Sequence, residues 1–274
     1  MTTVRKAVIA AAGLGTRMFP ITKVVEKAML PIGRRPTIDY IVRECAAAGV
    51  EEIAIVVRKG STQIQRYYGD DSELRALLSR RGWAEKARAL DEISSVRSIT
   101  FIEQSLEDSY GTALPVMLAK DFVADDSFFF LSSDDLLLDE SGKSTLAELG
   151  REAAGGYALV GQPVPNAALE RYGRLRTAET DGRLVLTDLI EKDSSLADGD
   201  QALINISRYA FPAEFLSVLA KVAEHEESGE YRLTDGLLDV VHSQSVAVTL
   251  SRGSYYDLGS EQGLAEATQH VVGD

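Results

Sequence analysis

The sequence has 274 residues, of which 45% are hydrophobic and 26% charged, a balance typical of a globular chain long enough for one large α/β domain. Its formal net charge of −13 argues against nonspecific binding to nucleic acid or to an anionic membrane, because both require a basic surface. A single cysteine excludes an intrachain disulfide, and neither a signal peptide nor an apolar run of about 18 residues is visible, so we expect a cytoplasmic protein.

Apolar runs and helical patterns alternate through the first half of the chain. This alternation indicates βα units and therefore an α/β fold with a doubly wound, mostly parallel, Rossmann-like mixed sheet and helices on both faces. Strands are expected at Ala7–Ala11, Glu51–Val57, Ser98–Glu103 and Ser127–Leu131. Helices are expected at Pro36–Ala48, at Asp71–Ile93 (one helix, or two interrupted at Gly82) and at Gly111–Phe122.

The second half is less regular. Strands are expected at Tyr157–Gln162, Gly173–Thr177, Leu184–Glu191, Leu203–Phe211 and Val246–Leu250, with a hairpin turn at Asp181-Gly182. Helices are expected at Ser144–Ala154, Pro212–Glu226, Thr234–His242 and from Ser260 onwards. No repeat, linker or low-complexity stretch is present, so we expect a single domain over residues 1–274.

A glycine-rich, basic segment follows the first predicted strand and runs from Ala10 to Pro31. Gly13 and Gly15 let the backbone approach a ligand and direct successive N–H groups at an anion. Positive charge follows at Arg17, Lys23 and Lys27. This combination suits a polyphosphate ligand.

Two common phosphate-binding motifs fit this segment poorly. A P-loop requires Gly-Lys-Ser/Thr, whereas Gly15 is followed by Thr16-Arg17. A dinucleotide fingerprint requires a third small residue where Met18 stands, and Pro20 is expected to keep the loop extended instead. A plain glycine-rich turn between a strand and a helix, with solvated basic residues, is the alternative interpretation.

Acidic residues follow two other strands. Asp134-Asp135 comes directly after the phenylalanine-rich strand, and Asp257 lies between a short strand and the last helix. Ligands of open parallel sheets lie beyond the carboxyl ends of the strands, where adjacent carboxylates suit a hard cation such as Mg²⁺. A turn or helix-capping pair is the structural alternative for Asp134-Asp135, and a helix N-terminal acid is that for Asp257.

The segment G-x-G-T-R-x-x-P-x-T-K-x-x-x-K-x-M-L-P resembles the signature of the sugar-1-phosphate nucleotidyltransferases, and within them the bacterial UTP–glucose-1-phosphate uridylyltransferases. The resemblance extends in order over most of the chain. It implies the nucleotide-diphospho-sugar transferase fold, with a nucleotide-binding half to about residue 140 and a sugar-binding half after it. It also implies Mg²⁺ as cofactor, UTP (or another nucleoside triphosphate) and a sugar 1-phosphate as substrates, and a homodimer or homotetramer.

The same resemblance assigns roles to individual residues. The implied catalytic cations are Arg17, Lys27 and Lys192, and the implied metal ligands are Asp134 and Asp257. The implied nucleotide-binding residues are Ala11, Ala12, Gly13, Gly15, Thr16, Gln104 and Gly111. The implied sugar-binding residues are Asp135, Tyr172, Gly173, Glu191 and Asn205. Because the alignment of Ser-Ser-Asp-Asp can slip by one residue, Asp135 is the alternative metal ligand.

Several positions depart from the family pattern. Ser109 replaces a glycine beside the base, and Asp193 replaces the proline of E-K-P. These departures keep a thymidylyltransferase, or a transferase for a different sugar 1-phosphate, as the alternative function. A non-catalytic nucleotide-sugar sensor is a further, less favoured alternative. The helical insertion Glu73–Ile93 favours the uridylyltransferases. Gly229–Asp235 resembles a further family motif, and its Thr-Asp also suits a helix N-cap.

Overall fold

The computed structural model describes residues 4–93, 95–105, 107, 110–139, 142, 144–165, 173–190, 201–226 and 228–273. Strands β1 to β13 lie at Lys6–Ala10, Pro31–Ile32, Arg35–Pro36, Glu52–Arg58, Ser98–Gln104, Phe128–Ser132, Asp135–Leu138, Tyr157–Pro165, Arg174–Thr180, Arg183–Ile190, Gln201–Phe211, Val246–Leu250 and Ser254–Asp257. Helices α1 to α9 lie at Thr37–Ala47, Gln63–Tyr67, Ser72–Arg80, Leu114–Leu118, Lys120–Val123, Thr145–Ala153, Phe215–Glu224, Leu233–Val241 and Glu261–Gly273. Within the described residues, no helix is long and apolar enough to cross a membrane.

Nine strands of the described chain form one sheet in the order β5-β4-β1-β6-β11-β8-β12-β10-β9. The strands from β5 to β6 are parallel, as the alternation of strands and helices predicts. β11 then runs antiparallel between β6 and β8, and β10 is antiparallel to both β12 and β9. The prediction of a mostly parallel sheet therefore holds for the first four strands, and beyond them for the β8–β12 pair. The predicted turn at Asp181-Gly182 joins β9 to β10, and so short a connection produces only antiparallel neighbours.

Successive residues of the central strands point into two different apolar cores. In β1, Ala7 and Ile9 belong to one core and Val8 to the other, as the two-residue period of a strand requires. Helices α1 and α6 cover the first core, and α4, α5, α7 and α8 cover the second. The prediction of helices on both faces is thus confirmed, and both faces of β1, β4 and β6 are buried.

The helical region predicted over Asp71–Ile93 is interrupted at Gly82. α3 ends at Arg80, and a 3₁₀ helix covers Ala84–Glu92. Gly82 has φ +70°, a left-handed conformation that ends a helix and that glycine adopts without strain. Neither segment packs an apolar face into the core, with Ala87 as the buried residue of the two, so tertiary contacts do not enforce a continuous helix.

Four short elements, namely α2, β2, β3 and β7, have no counterpart among the predicted ones. α2 has five residues and buries Ile64, too little for a helical period to be visible in the sequence. β7 follows β6 after a two-residue turn and pairs with β13, a partner remote in sequence. The helix predicted from Gly111 begins only at Leu114, because Gly111 to Ala113 form an irregular segment at the functional edge of the sheet.

Candidate active site

The parallel strands β5, β4, β1 and β6 end at the same edge of the sheet, and the ends of β5, β1 and β6 with the segments that follow them enclose a cleft of about 430 Å³. Its lining residues are Ala10 to Thr16 after β1, Lys27, Gln104, Tyr110 to Thr112, Pro115, and Ser132 to Asp134 after β6. Open α/β sheets bind their ligands at this edge.

The cleft brings together all seven residues that the sequence assigned to nucleotide binding, from Ala11 to Gly111. Sequence reasoning missed other lining residues, namely Ala10, Leu14, Tyr110, Thr112, Pro115, Ser132 and Ser133. All of these except Pro115 lie beside a predicted residue or within Ser-Ser-Asp-Asp. Including the residues that flank each motif would therefore have predicted most of the missed lining residues.

The glycine-rich loop after β1 is held by its own residues. Gly15 has φ +66°, and a Cβ added there would lie 3.1 Å from side-chain atoms of both Thr22 and Lys27, so the position favours glycine. The Thr22 hydroxyl donates to the Gly15 carbonyl oxygen at 2.8 Å. Beyond Gly15 the loop consists of three 3₁₀ turns, at Thr16–Met18, Ile21–Lys23 and Lys27–Met29. The expectation of an extended loop around Pro20 is therefore wrong, since this residue has φ −89° and ψ −10°.

Gln104 and Gly111 lie on the side of the cleft formed after β5. Gln104 is 5% exposed, and its Oε1 is a buried acceptor without a hydrogen-bond partner in the described part of the chain. Gly111 has φ +115°, and a Cβ there would come within 2.2 Å of the Tyr231 carbonyl oxygen. Hydrogen bonds Tyr231 N→Tyr110 O (2.8 Å) and Ala113 N→Tyr231 O (2.9 Å) fix the loop on both sides of this glycine.

The motif Gly229–Asp235 therefore packs against the loop around Gly111 and holds it in place. Its expected cap at Thr234 is wrong, because α8 already begins at Leu233. The first helical N–H group, that of Leu233, instead donates to the hydroxyl of Thr112 at 2.9 Å. The helix start is thus joined directly to a residue that lines the cleft.

Four charged side chains meet at the mouth of the cleft. The Lys27 ammonium donates to Oδ2 of Asp134, and Arg17 lies 3.9 Å from Asp134 and 3.6 Å from Asp257. The two acids come from different strand ends, and Leu258 N→Asp134 O (2.8 Å) joins their backbones. Asp134 is 25% exposed and Asp257 17% exposed, so both remain reachable by a ligand.

The electrostatic environment keeps Asp134 ionised. Burial opposes ionisation, but the adjacent Lys27 ammonium and hydrogen bonds from Lys27 and Ser132 outweigh burial and hold the pKa of Asp134 below its usual range. The ionised Asp134 carboxylate pairs with Lys27 and Arg17. A charged ligand can therefore replace either member of these ion pairs when it binds.

Asp135 has a different environment. It pairs with Asp257 in the β7–β13 ribbon, and its Oδ1 accepts a hydrogen bond from the Tyr255 hydroxyl at 2.5 Å. Burial and the neighbouring Asp134 carboxylate raise the pKa of Asp135 to about 6. Asp134, rather than Asp135, lines the cleft and contacts Lys27.

The residues assigned to sugar binding are only partly described. Gly173 and Asn205 come together, since the Asn205 N–H donates to the Gly173 carbonyl at 3.1 Å. The Asn205 side chain donates to the Tyr209 hydroxyl at 2.6 Å, and neither Gly173 nor Asn205 lines the 430 Å³ cleft. The remaining predicted residues, Tyr172, Glu191 and Lys192, and the departures Ser109 and Asp193 lie outside the described residues.

A glycine-rich loop, two cations and two acids thus lie together at the edge of a parallel sheet where α/β proteins bind their ligands. The family model for the nucleotidyl transferases matches residues 6–273. The chain therefore belongs to the nucleotidyl transferase family and is a nucleotidyltransferase.

Individual relatives have names more specific than that of the family. The chain is 31% identical to a UTP–glucose-1-phosphate uridylyltransferase of Bacillus subtilis, over 98% of this chain and 89% of that protein. It is 32% identical to UTP–glucose-1-phosphate uridylyltransferase 2 of Streptococcus pyogenes, over 98% and 90% of the two chains. Its structure is similar to that of the UTP-bound UGPase from Acinetobacter baumannii, with a TM-score of 0.87 and 26% identity, over 98% and 93% of the two chains.

Proposed function

We propose that this enzyme transfers the uridylyl group of UTP to glucose 1-phosphate, forming UDP-glucose and pyrophosphate in the presence of Mg²⁺. The observation that carries the proposal is the cluster of Arg17, Lys27, Asp134 and Asp257 at the mouth of a cleft lined by the glycine-rich loop. The relatives at 31% and 32% identity support the choice of nucleotide and sugar.

The proposed reaction needs no general base. A phosphate monoester has a second pKa of about 6, so the sugar phosphate is largely a dianion near neutral pH. Its oxygen attacks the α-phosphorus of UTP, and the bond from that phosphorus to the bridging oxygen of the β-phosphate breaks. None of the three histidines, His225, His242 and His270, lines the cleft. The protein must therefore align two anions and neutralise their charge.

Three cations serve this task in the proposal. Lys27 is 14% exposed and fixed on the cleft wall, where it holds the triphosphate. Arg17 is 63% exposed, so its guanidinium can follow the charge that develops on the departing pyrophosphate. Lys192 holds the attacking sugar phosphate. Its role rests on the resemblance of Glu191-Lys192 to the family motif.

The acids fit a magnesium site. No group of three or more metal-ligating side chains occurs in the described residues, but Asp134 and Asp257 present two carboxylates beside the same guanidinium. Mg²⁺ is typically bound by one or two carboxylates together with water and substrate phosphates, so a two-acid site suits it. When bound, Mg²⁺ supplies positive charge to the phosphate oxygens. In the proposal Arg17 and Lys27, which pair with these acids, bind the triphosphate.

Gln104 supports recognition of uracil. Its carboxamide presents an acceptor and a donor side by side, and the acceptor lacks a partner in the described residues. Uracil offers an N–H donor between two carbonyl acceptors, which complements this pair. Cytosine has an acceptor in place of that N–H and an amino donor beside it, so the amide disfavours cytosine only while its oxygen faces this ring position. Thymine has the same edge as uracil, which is the specific reason to keep thymidylyltransferase activity as the second candidate.

The sugar is assigned to the half of the chain after about residue 140. In the proposal Gly173 and Asn205, whose backbones are hydrogen-bonded, form one wall of the subsite, and Asp135 of the β7–β13 ribbon contributes a carboxylate. Tyr172 and Glu191 complete the subsite in the proposal.

The direct test is release of pyrophosphate with glucose 1-phosphate and Mg²⁺, measured separately with UTP, dTTP, ATP, CTP and GTP. We expect turnover with UTP and rejection of CTP. Preference for dTTP would retain the mechanism and replace the assigned base. Absence of turnover with all five would reject glucose 1-phosphate as substrate, and Mg²⁺-dependent binding of UDP-glucose without turnover would identify a sensor.

A metal titration of the same reaction tests the two acids. Asp257→Asn should raise the Mg²⁺ concentration at half-maximal rate by about tenfold or more, because one of two carboxylate ligands loses its charge. The exposed residue Asp239 on α8 provides the matched control Asp239→Asn, for which no change is expected. Equal metal dependence of the two variants would exclude Asp257 as a ligand.

A further inference from the structure

Glu26 lies in the glycine-rich loop immediately before Lys27 and carries a negative charge into a segment that binds anions. Its carboxylate lies against the segment that leads from β4 into α2. It accepts hydrogen bonds from the Ser61 hydroxyl (2.5 Å) and from the Gln63 N–H (3.0 Å), with a longer one from the Thr62 N–H (3.3 Å). The charge of Glu26 is therefore satisfied by neutral donors of one neighbouring segment.

The contact is reciprocal. The side-chain oxygen of Gln63 accepts from the Glu26 N–H at 3.0 Å, and its side-chain nitrogen donates to the Val24 carbonyl at 2.6 Å. Glu26 and Gln63 thus each bind the other's backbone through their side chains. We call this set of five hydrogen bonds the Glu26–Gln63 clamp.

The clamp holds the residues on either side of the phosphate-binding lysine. The Glu26 carbonyl accepts from the Met29 N–H at 2.7 Å, which closes the 3₁₀ turn that contains Lys27. The segment on the other side of the clamp reaches the base side of the cleft, because Lys59 N donates to the Gln104 carbonyl at 2.9 Å. Residues 59–63 therefore connect the base-reading side of the cleft to the turn that presents Lys27.

We propose that Glu26 is a positioning residue, which fixes the Lys27 turn for the triphosphate through the Glu26–Gln63 clamp. The proposal rests on the function proposed above, since it takes the ligand of Lys27 to be a triphosphate. The physical reason is preorganisation. A turn that is already ordered in the free enzyme loses little conformational entropy when the nucleotide binds, whereas an untethered turn must be ordered at that moment.

Two variants of Glu26 separate charge from tethering. Glu26→Ala removes all three accepted hydrogen bonds, and we expect the KM for UTP to rise on the order of tenfold because hydrogen bonds to a carboxylate are lost. Glu26→Gln keeps an acceptor for the Gln63 N–H and a donor for the Ser61 hydroxyl, so it should restore most of the loss. The KM for glucose 1-phosphate should stay unchanged in both variants, because the clamp lies on the nucleotide side.

A matched control is available in the segment between α2 and α3. Asp70 also accepts hydrogen bonds from a backbone N–H and a hydroxyl, both of Ser72 (3.0 and 2.6 Å), and among the described residues these bonds do not involve the glycine-rich loop. Asp70→Asn should leave both KM values at those of the wild type. Gln63→Ala removes the other half of the clamp, and combined with Glu26→Ala it should add little, because one clamp cannot be broken twice.

Amide hydrogen exchange provides a readout without turnover. In the nucleotide-free protein we expect faster exchange over residues 22–30 in Glu26→Ala, with wild-type exchange in Asp70→Asn. Unchanged exchange, or an unchanged KM for UTP in an active and folded Glu26→Ala enzyme, would overturn the positioning role. A wild-type chain inactive with every triphosphate would instead overturn the proposed function, so the two failures are distinguishable.

Discussion

Lys27 is the less exposed of the two cations at the cleft, and its side chain contacts Asp134 while its turn is fixed by residues on both sides. Such a cation is preorganised for an anionic ligand, since the protein has already positioned it before the substrate arrives. Arg17 is 63% exposed and therefore more adaptable. The two residues thus provide one fixed and one mobile positive charge.

Replacement of Lys27 tests this reasoning. Lys27→Ala should lower kcat/KM by about 10²–10³-fold, because a fixed charge opposite the phosphates is lost. The fold should persist, since Arg17 and Ser132 still stabilise the Asp134 carboxylate, and thermal unfolding should shift by only a few degrees. Lys221 on α7 is exposed and does not line the cleft, so Lys221→Ala serves as the control. A collapse of thermal stability in Lys27→Ala would assign this lysine a structural role instead.

At the level of elements, the site depends on loops that bring remote segments together. The loop at Gly111 is fixed by the segment around Tyr231, and α8 begins with an N–H bound to Thr112. The Gly111 side of the cleft is therefore formed by two segments separated by more than a hundred residues.

Gly111→Ala tests this contact against an internal control. A Cβ at Gly111 would lie 2.2 Å from a backbone oxygen, whereas one at Gly82, which also has positive φ, meets nothing within 4 Å. Gly82→Ala should therefore cost only the backbone strain of about 1–2 kcal/mol. Gly111→Ala should cost more and raise the KM for UTP, because the loop must move. Urea denaturation and steady-state kinetics of both variants would measure this, and equal losses would show that strain alone matters at both positions.

The local motifs were readable from the sequence because glycine, charge and spacing carry their own physical meaning. Gly15 has the positive φ that its motif requires, and the strand before it is buried as its apolar run predicts. The short turns after Gly15 were not predictable, because each contains three residues and no periodic pattern. β7 was missed for another reason, since its pairing depends on β13, which is remote in the sequence.

At the scale of the whole molecule, a buried ion pair joins α1 in the first half of the chain to β11 in the second. Arg208 on β11 is 0% exposed and donates to Glu44 on α1 at 2.8–2.9 Å through two nitrogens. It also donates to the Asp135 carbonyl at 2.6 Å. No sequence pattern predicts this pair, because its members are 164 residues apart and each belongs to an ordinary amphipathic element. Through Arg208, the pair therefore fixes the backbone at Asp135, next to Asp134.

Breaking this pair should destabilise the entire fold. Glu44→Gln leaves a buried guanidinium without its counter-charge and should lower the free energy of unfolding by about 3–5 kcal/mol, measured by urea denaturation. Glu148, which pairs at the surface with Arg252 at 2.8 Å, provides the matched control, and Glu148→Gln should change it by less than about 1 kcal/mol. The double variant Glu44→Met/Arg208→Met should lose less than the sum of its single variants, because neither charge is then left buried alone. Strict additivity would mean that Arg208 acts through the Asp135 carbonyl rather than through Glu44.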